Sequence, residues 1–211
     1  MAIQRGLFGP ISGKIGDRVY ATVNGVTYVR SLPRKSTIPA TEKQLIQRAK
    51  FGLVSRFLHP IGWILNSSYK VINRKKTGIW VSFRQIMDVA VRGEYPDFEI
   101  DYAKANLIQG HLTPPRETCV TAEKQNLNLS WSFNQQVNSY STDELIVLVY
   151  CISLKEFWCN DKTGLRRSDE CGSIILPEEY AERECCFWLF YRSVTQNAYS
   201  NSVYLGKVNT Y

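Results

Sequence analysis

The sequence lacks the residues from which most metal and catalytic sites are built. It contains only two histidines, His59 and His111, and none of its six cysteines forms a Cys-x-x-Cys pair. Zinc sites usually combine such spacings with further cysteine or histidine ligands. His59 precedes a proline and His111 ends an apolar run, so neither lies in a catalytic motif. We therefore expect no enzyme activity, no metal, no cofactor and no small-molecule substrate.

Long hydrophobic runs are also missing. No stretch approaches about 18 consecutive apolar residues, so no transmembrane helix is expected. Residues 1–14 are interrupted by Gly, Pro and Arg and carry no apolar core long enough for a signal peptide. The sequence therefore predicts a protein of the cytoplasm or of a virion, with no membrane partner.

The cysteines all lie in the second half of the chain, at 119, 151, 159, 171, 185 and 186. Cys151, Cys185 and Cys186 stand inside apolar runs. We expect reduced thiols that behave as small hydrophobic side chains, because no secretion signal accompanies them. Whether any pair forms a disulfide is left open.

The net charge of +7 hides a division within the chain. Residues 1–95 hold 16 Lys and Arg against 4 Asp and Glu, a net +12, and residues 96–211 hold 10 against 15, a net −5. The change of sign near Pro96 predicts a basic region at 1–95 and an acidic domain at 96–211. The division fits head-to-tail contacts between like subunits, and it also fits two ordinary solvated surfaces.

The stretch from Gly6 to Lys35 predicts a compact β unit. Two alternating segments, 18–22 and 26–30, flank Asn24-Gly25, a strong hairpin signal. The preceding glycines do not match a phosphate-binding loop, and we expect them to permit tight turns. An isolated hairpin is marginally stable in water. We therefore expect the hairpin to pack on the helices that follow or on a neighbouring subunit. The candidate subunit contacts are Gly9, Gly13, Gly16, Tyr20 and Tyr28.

Three helices are expected after an extended, proline-containing connector. Thr41 and Gln44 fit a capping box, and apolar residues at helical spacing continue to about Leu58. Pro60 interrupts this pattern. A second helix is expected over 61–73 and a third over 77–91. The aromatic residues of this region, Trp63, Tyr69, Trp80 and Phe83, are interpreted as core residues.

Basic residues of the first half are candidates for binding nucleic acid or an acidic partner. The alternative interpretation of the run at 74–76 is helix capping and a solvated turn. The candidates are Arg30, Arg34, Lys35, Arg74, Lys75 and Lys76.

Three acidic residues alternate at Asp97, Glu99 and Asp101. On a strand they would share one face, where a cation site is conceivable. A solvated edge or a face paired with arginine is the favoured interpretation.

The second half predicts an all-β domain. β-type runs at 105–112, 127–133, 144–159, 173–176, 185–195 and 202–208 are separated by turn-rich segments. Residues 127–131 (LNLSW), 188–197 (WLFYRSVTQN) and 199–202 (YSNS) resemble strands of a fibronectin type III module. The resemblance covers about residues 100–211. It implies a spacer or binding unit rather than catalysis.

A further set of segments spans both halves of the chain: 13–16 (GKIG), 28–33 (YVRSLP), 41–51, 95–102 (YPDFEIDY) and 201–206 (NSVYLG). With this combination, the whole chain resembles an uncharacterised family of about this length, found mostly in Bacteroidota and their phages. That resemblance implies no activity, but a phage setting favours a virion or tail component.

These observations lead to one expected architecture and two expected functions. The fold is α+β: an N-terminal β-hairpin and two or three helices, followed by an antiparallel sandwich of the immunoglobulin or fibronectin type III kind. The first function is a structural subunit of a repeated assembly, such as a phage capsid, head–tail or tail component, with copies of itself or other virion subunits as partners. The alternative is a nucleic-acid-binding protein that uses the basic half.

Overall fold

The structure is a computed structural model that describes residues 3–4, 11–23, 26–33, 38–72, 77–123, 125–133, 139–193 and 195–210. Its chain forms two compact units, Met1–Thr41 and Glu42–Tyr211, called here the N-terminal unit and the C-terminal unit. The charge change near Pro96 does not coincide with this division.

The N-terminal unit is an antiparallel sheet in which each strand pairs with the next. Its strands are β1 (Ile3–Gln4), β2 (Ile11–Ile15), β3 (Arg18–Val23) and β4 (Val26–Ser31), in that order. The β3–β4 hairpin confirms the prediction from the alternating segments, although its turn at 24–25 lies outside the described residues. Gly16 has a φ of 59° in the two-residue turn between β2 and β3, a conformation that favours glycine.

The C-terminal unit begins with three helices, as expected. They are α1 (Glu42–Leu58), α2 (Gly62–Ile72) and α3 (Gly78–Val89), with a 3₁₀ turn at His59–Ile61 between the first two. Pro60 lies inside that turn, where its missing amide hydrogen ends the α1 hydrogen-bond ladder.

In the described residues after the helices, the chain forms ten strands. They are β5 (Val91–Glu94), β6 (Asp97–Ile100), β7 (Arg116–Glu123), β8 (Asn126–Ser132), β9 (Glu144–Cys151), β10 (Glu156–Asn160), β11 (Cys171–Ile175), β12 (Glu184–Ser193), β13 (Ala198–Tyr199) and β14 (Val203–Asn209). One sheet has the order β11-β8-β7, and the other β10-β9-β12, with β12 also pairing β14 and the short β13. Three strands therefore face a sheet of five, as in an antiparallel sandwich of the immunoglobulin or fibronectin type III kind, so the α+β fold with a sandwich is confirmed.

The C-terminal unit is built in three layers. The smaller sheet packs on the inner face of the larger sheet. Leu129 and Trp131 of β8 lie in one core cluster with Val147, Phe187 and Leu189 of the larger sheet. The opposite face of that sheet packs on the helices through a second core cluster, which includes Val54, Leu58, Ile86, Ile146, Leu148, Trp188 and Phe190. Strands β9 and β12 are therefore buried on both faces. This explains why their sequences are nearly continuous apolar runs.

The prediction of a strand over 105–112 is wrong. This segment is an irregular connector whose backbone hydrogen bonds go largely to side chains. The Ser202 hydroxyl accepts from the amides of Leu107 and Ile108, and the Asn201 side chain accepts from Gly110. Because these side chains replace a neighbouring strand, an apolar sequence pattern alone does not distinguish the two cases.

Three other elements differ from the sequence prediction. The apolar run over 144–159 is a hairpin of two strands, β9 and β10, rather than one continuous element. The sequence around Pro96 gave no strand prediction, but it forms the β5–β6 hairpin, whose turn is at residues 95–96. Strand β7 was not predicted, because polar residues interrupt its apolar positions.

The six cysteines carry free thiols in the structure. Cys151, Cys185 and Cys186 are buried in the core, whereas Cys119 and Cys171 are exposed. Cys185 of β12 is the direct cross-strand neighbour of Cys151 of β9. Among the residues that the structure describes, no helix is long and apolar enough to cross a membrane.

Candidate interface on the N-terminal sheet

The glycines predicted at an interface shape the N-terminal sheet. Gly13 lies within β2 with a φ of 119°, and Tyr20 of β3 is its cross-strand partner. An aromatic residue opposite a strand glycine compensates for the missing side chain. Gly9, the third predicted glycine, lies outside the described residues.

The two predicted tyrosines lie on opposite faces of this sheet. Tyr20 pairs with Val29 of β4, and Tyr28 pairs with Ala21 of β3. Since successive residues of a strand point to opposite faces, Tyr20 and Tyr28 cannot contribute to one flat contact surface. Each face nevertheless carries apolar side chains, so the sheet presents two surfaces suited to packing.

The N-terminal sheet has no interior of its own. Among its residues with described side chains, none is buried. Ile15, Val26, Tyr28 and Val29 are about half exposed, at 49%, 52%, 57% and 51%. A sheet in water needs a hydrophobic face that is covered by another element to be stable. The exposure therefore marks both faces as candidates for packing against a further element.

The edge of the sheet is equally open. In the described part of the N-terminal unit, β4 pairs only with β3, and all six of its residues are exposed. An exposed, apolar edge strand presents unpaired backbone groups to which a further strand can add. Native proteins usually protect such edges with charges or prolines, whereas β4 carries a single charge, Arg30, and no proline. The edge is therefore a second means of subunit contact.

Residues 10–206 match the sequence profile of DUF6266, described as a family of unknown function. The chain belongs to this family. No curated protein matches the chain at a significant level. A solved structure of domains A168–A170 of titin is similar at 16% sequence identity and a TM-score of 0.37. The similar region covers 54% of this chain and 36% of the titin chain, so the chain spans little more than a third of that structure's length.

The predicted basic site is only partly described in this DUF6266 chain. Arg30 is exposed on β4 and pairs with Val19, on the same face as Tyr28. The other five candidates, Arg34, Lys35, Arg74, Lys75 and Lys76, lie outside the described residues. Arg30 therefore contributes positive charge to one face of the candidate interface.

The acidic residues near Pro96 form a surface paired with cations. The Arg92 guanidinium lies 3.8 Å from the Glu99 carboxylate and 4.0 Å from that of Asp101. Lys104 also lies 3.9 Å from Asp101. The interpretation as an arginine-paired face thus holds for Glu99 and Asp101, whereas Asp97 is exposed. In the described part of the chain, no group of three or more His, Cys, Asp or Glu residues is placed to hold a metal ion.

Sequence reasoning missed an exposed aromatic surface on the helices. Trp63 and Trp80 were interpreted as core residues, but they are 54% and 57% exposed. Trp80 stacks on Phe83 with ring centroids 5.6 Å apart, and Phe83 contacts Phe51 at 4.7 Å. Their helical spacing resembled that of core positions. Only the packed structure shows which stripe of each helix faces the sheet.

Proposed function

We propose that the protein is a non-catalytic structural subunit of a repeated assembly and that its N-terminal sheet makes the contacts between subunits. The observation that supports this most strongly is a four-stranded sheet without a buried side chain among those described. Such a sheet gains stability when its faces or its edge meet another chain.

A phage virion is the setting that we propose for this assembly, as part of a capsid, a head–tail connection or a tail. The sequence resemblance to a family found in Bacteroidota and their phages supports this setting. Many copies of one subunit form such particles, and a sandwich with a separate contact sheet suits that role. In this setting the partners are further copies of the chain or other virion subunits.

Charges introduced on the edge strand test the role of the sheet. The double substitution Tyr28→Lys and Val29→Lys places one lysine on each face of β4, since adjacent residues point to opposite faces. We expect it to convert assemblies into monomers, because lysine on an edge strand opposes both strand addition and apolar packing. Size-exclusion chromatography with light scattering measures the change in mass.

Ile175→Lys is the matched control. Ile175 is 69% exposed on β11, an edge strand of the sandwich, so the control adds a lysine at an equally open apolar edge. We expect this variant to assemble like the unmodified protein. Normal assembly of the Tyr28→Lys, Val29→Lys variant would contradict the proposal. A monomeric protein whose binding to nucleic acid weakens steeply between about 50 and 200 mM salt would favour the nucleic-acid function instead.

A further inference from the structure

The C-terminal unit contains a cleft of about 640 Å³ that the proposed assembly role does not use. Helix α1, the β5–β6 hairpin, the turn after β9 and strand β14 surround it. The volume lies within the range of about 300–1,000 Å³ that is usual for small-ligand sites. Nothing in the sequence pointed to it, because its walls come from four separated segments.

The rim of the cleft is strongly positive. Its described lining residues include four cations, Arg56, Arg92, Lys155 and Lys207, and one carboxylate, Glu99. Glu99 lies close to Arg92, as described above, and the Lys207 amine lies 3.6 Å from the Glu184 carboxylate, so two of the cations are partly neutralised.

Arg56 and Lys155 differ from the other two cations of the rim. Within the described part of the chain, no carboxylate lies at ion-pair distance from either side chain, and both residues are exposed. The Arg56 Nε donates a hydrogen bond to the Gly52 carbonyl, one turn earlier in α1. These two charges are therefore available to an incoming anion.

The floor of the cleft is aromatic and uncharged. Phe57 and Tyr150 are 4% and 7% exposed and meet edge to face with ring centroids 5.0 Å apart. The ring centroids of Tyr102 and Tyr150 lie 5.4 Å apart. Burial raises the pKa of both Tyr102 and Tyr150 above the ordinary phenol value, so their hydroxyls stay protonated at neutral pH. Phe98 and Leu53 add apolar surface at the sides.

We propose that this cleft binds a small anion that carries a flat apolar ring, of the class of the nucleoside phosphates. The ring lies against the aromatic floor, and the anionic group lies at the rim beside Arg56 and Lys155. A bare inorganic anion would leave the partly exposed lining residues Leu53, Phe98 and Tyr102 in water. A neutral ring would leave both unpaired cations unused. A ligand that combines the two matches the whole cleft.

Calorimetric titration of the full chain with ADP tests the site at low ionic strength. Pyrophosphate carries comparable charge without the ring, and adenosine carries the ring without the charge. We expect ADP to bind at least about tenfold more tightly than either, because only ADP uses both halves of the cleft. Undetectable ADP binding, or equal binding of ADP and pyrophosphate, would overturn the proposal.

Charge reversal locates the binding within the chain. Arg56→Glu and Lys155→Glu each exchange an exposed attractive charge for a repulsive one, so each is expected to weaken ADP binding by roughly tenfold or more. Lys162→Glu is the matched control, an exposed lysine outside the cleft, and it should leave ADP affinity within about twofold.

Near-ultraviolet circular dichroism shows whether each variant is folded. Because Arg56→Glu and Lys155→Glu are independent, the test still gives an answer if one of them fails to fold. Equal loss of affinity in Lys162→Glu and Lys155→Glu would show general charge attraction and would overturn the site. The mass of any assembly should not change in Lys155→Glu. The ligand-binding proposal and the assembly function are therefore tested independently.

Discussion

At the scale of single residues, the least predictable feature is a buried ion pair at one end of the sandwich. Arg167 donates from Nε and Nη2 to one carboxylate oxygen of Asp143, at 3.2 and 3.0 Å. The same Nη2 donates to the Thr113 carbonyl, and the guanidinium lies 3.7 Å from the centre of the Tyr191 ring. The sequence shows only an arginine in a turn-rich segment, because its partners are brought together by three separate loops and strands.

Asp143→Ala tests this pair. The substitution leaves the Arg167 charge buried, with only 4% of its side chain exposed, and without its carboxylate partner. We expect a loss of about 3–5 kcal/mol in the free energy of unfolding, measured by urea denaturation. Arg84→Ala is the control, because Arg84 and Asp88 form an exposed pair and their separation should cost less than about 1 kcal/mol. Similar losses in the two variants would contradict the structural role of Asp143.

The cysteines give a prediction about reactivity. Burial raises the pKa of the Cys185 thiol to about 12 and that of Cys186 to about 11, so both stay protonated and unreactive at pH 8. Cys119 and Cys171 are exposed. In the native protein, a thiol reagent at pH 8 should react rapidly with Cys119 and Cys171 alone. In the unfolded protein, all six cysteines should react.

Mass spectrometry of the labelled peptides identifies the residues that react. Rapid labelling of Cys185 in the native protein at pH 8 would show that this thiol is not buried as described.

At the scale of elements, helices and strands with a periodic apolar pattern were predictable. A segment whose backbone is hydrogen-bonded to distant side chains was not. Helix α1 ends at Leu58 as its apolar spacing indicates, and β8 follows its strict alternation. The connector at 105–112 has an equally apolar sequence, but its backbone is held by residues about 90 positions away. Gly110 lies so close to the Tyr199 carbonyl that a Cβ would overlap it at 1.8 Å. The local sequence pattern of a segment contains no information about hydrogen-bond partners that lie far away along the chain.

Ser202→Ala tests the hydrogen bonds of this connector. The substitution removes the acceptor of the Leu107 and Ile108 amides, which lie 3.2 and 3.1 Å from the Ser202 hydroxyl oxygen. We expect a loss of about 1–3 kcal/mol in stability and faster hydrogen exchange at these two amides. Ser67→Ala removes an exposed bond within α2 and should be nearly neutral. Unchanged exchange at Leu107 and Ile108 would contradict this account of the connector.

At the scale of the whole molecule, the alternation and spacing of strands predicted the sandwich, whereas charge was a poor guide to the compact units. The helices belong to the basic half by composition, but they cover the outer face of the larger sheet. Surface charge follows the exposed residues, and compact units follow the buried ones. The open N-terminal sheet was predictable in part, because the glycines and the hairpin indicated a unit too small for its own core.

Two fragments test the layered organisation. Residues 42–211 keep all three layers, so we expect this fragment to unfold cooperatively within a few degrees of the full chain. Residues 96–211 lack the helices and would expose Ile146, Leu148, Trp188 and Phe190, each worth about 1.5–3 kcal/mol of burial. This fragment should show no cooperative thermal transition by circular dichroism. Independent folding of 96–211 would contradict the shared core.

The mass of this 211-residue chain in solution, measured by light scattering at about 50 and 500 mM salt, tests the central claim most directly. The proposed assembly predicts a discrete species many times larger than the 24.2 kDa chain that persists at high salt, because apolar and backbone contacts hold it together. Electron micrographs of that species should show a ring, tube or shell. A monomer at both salt concentrations and at high protein concentration would contradict the claim that the N-terminal sheet is an assembly surface.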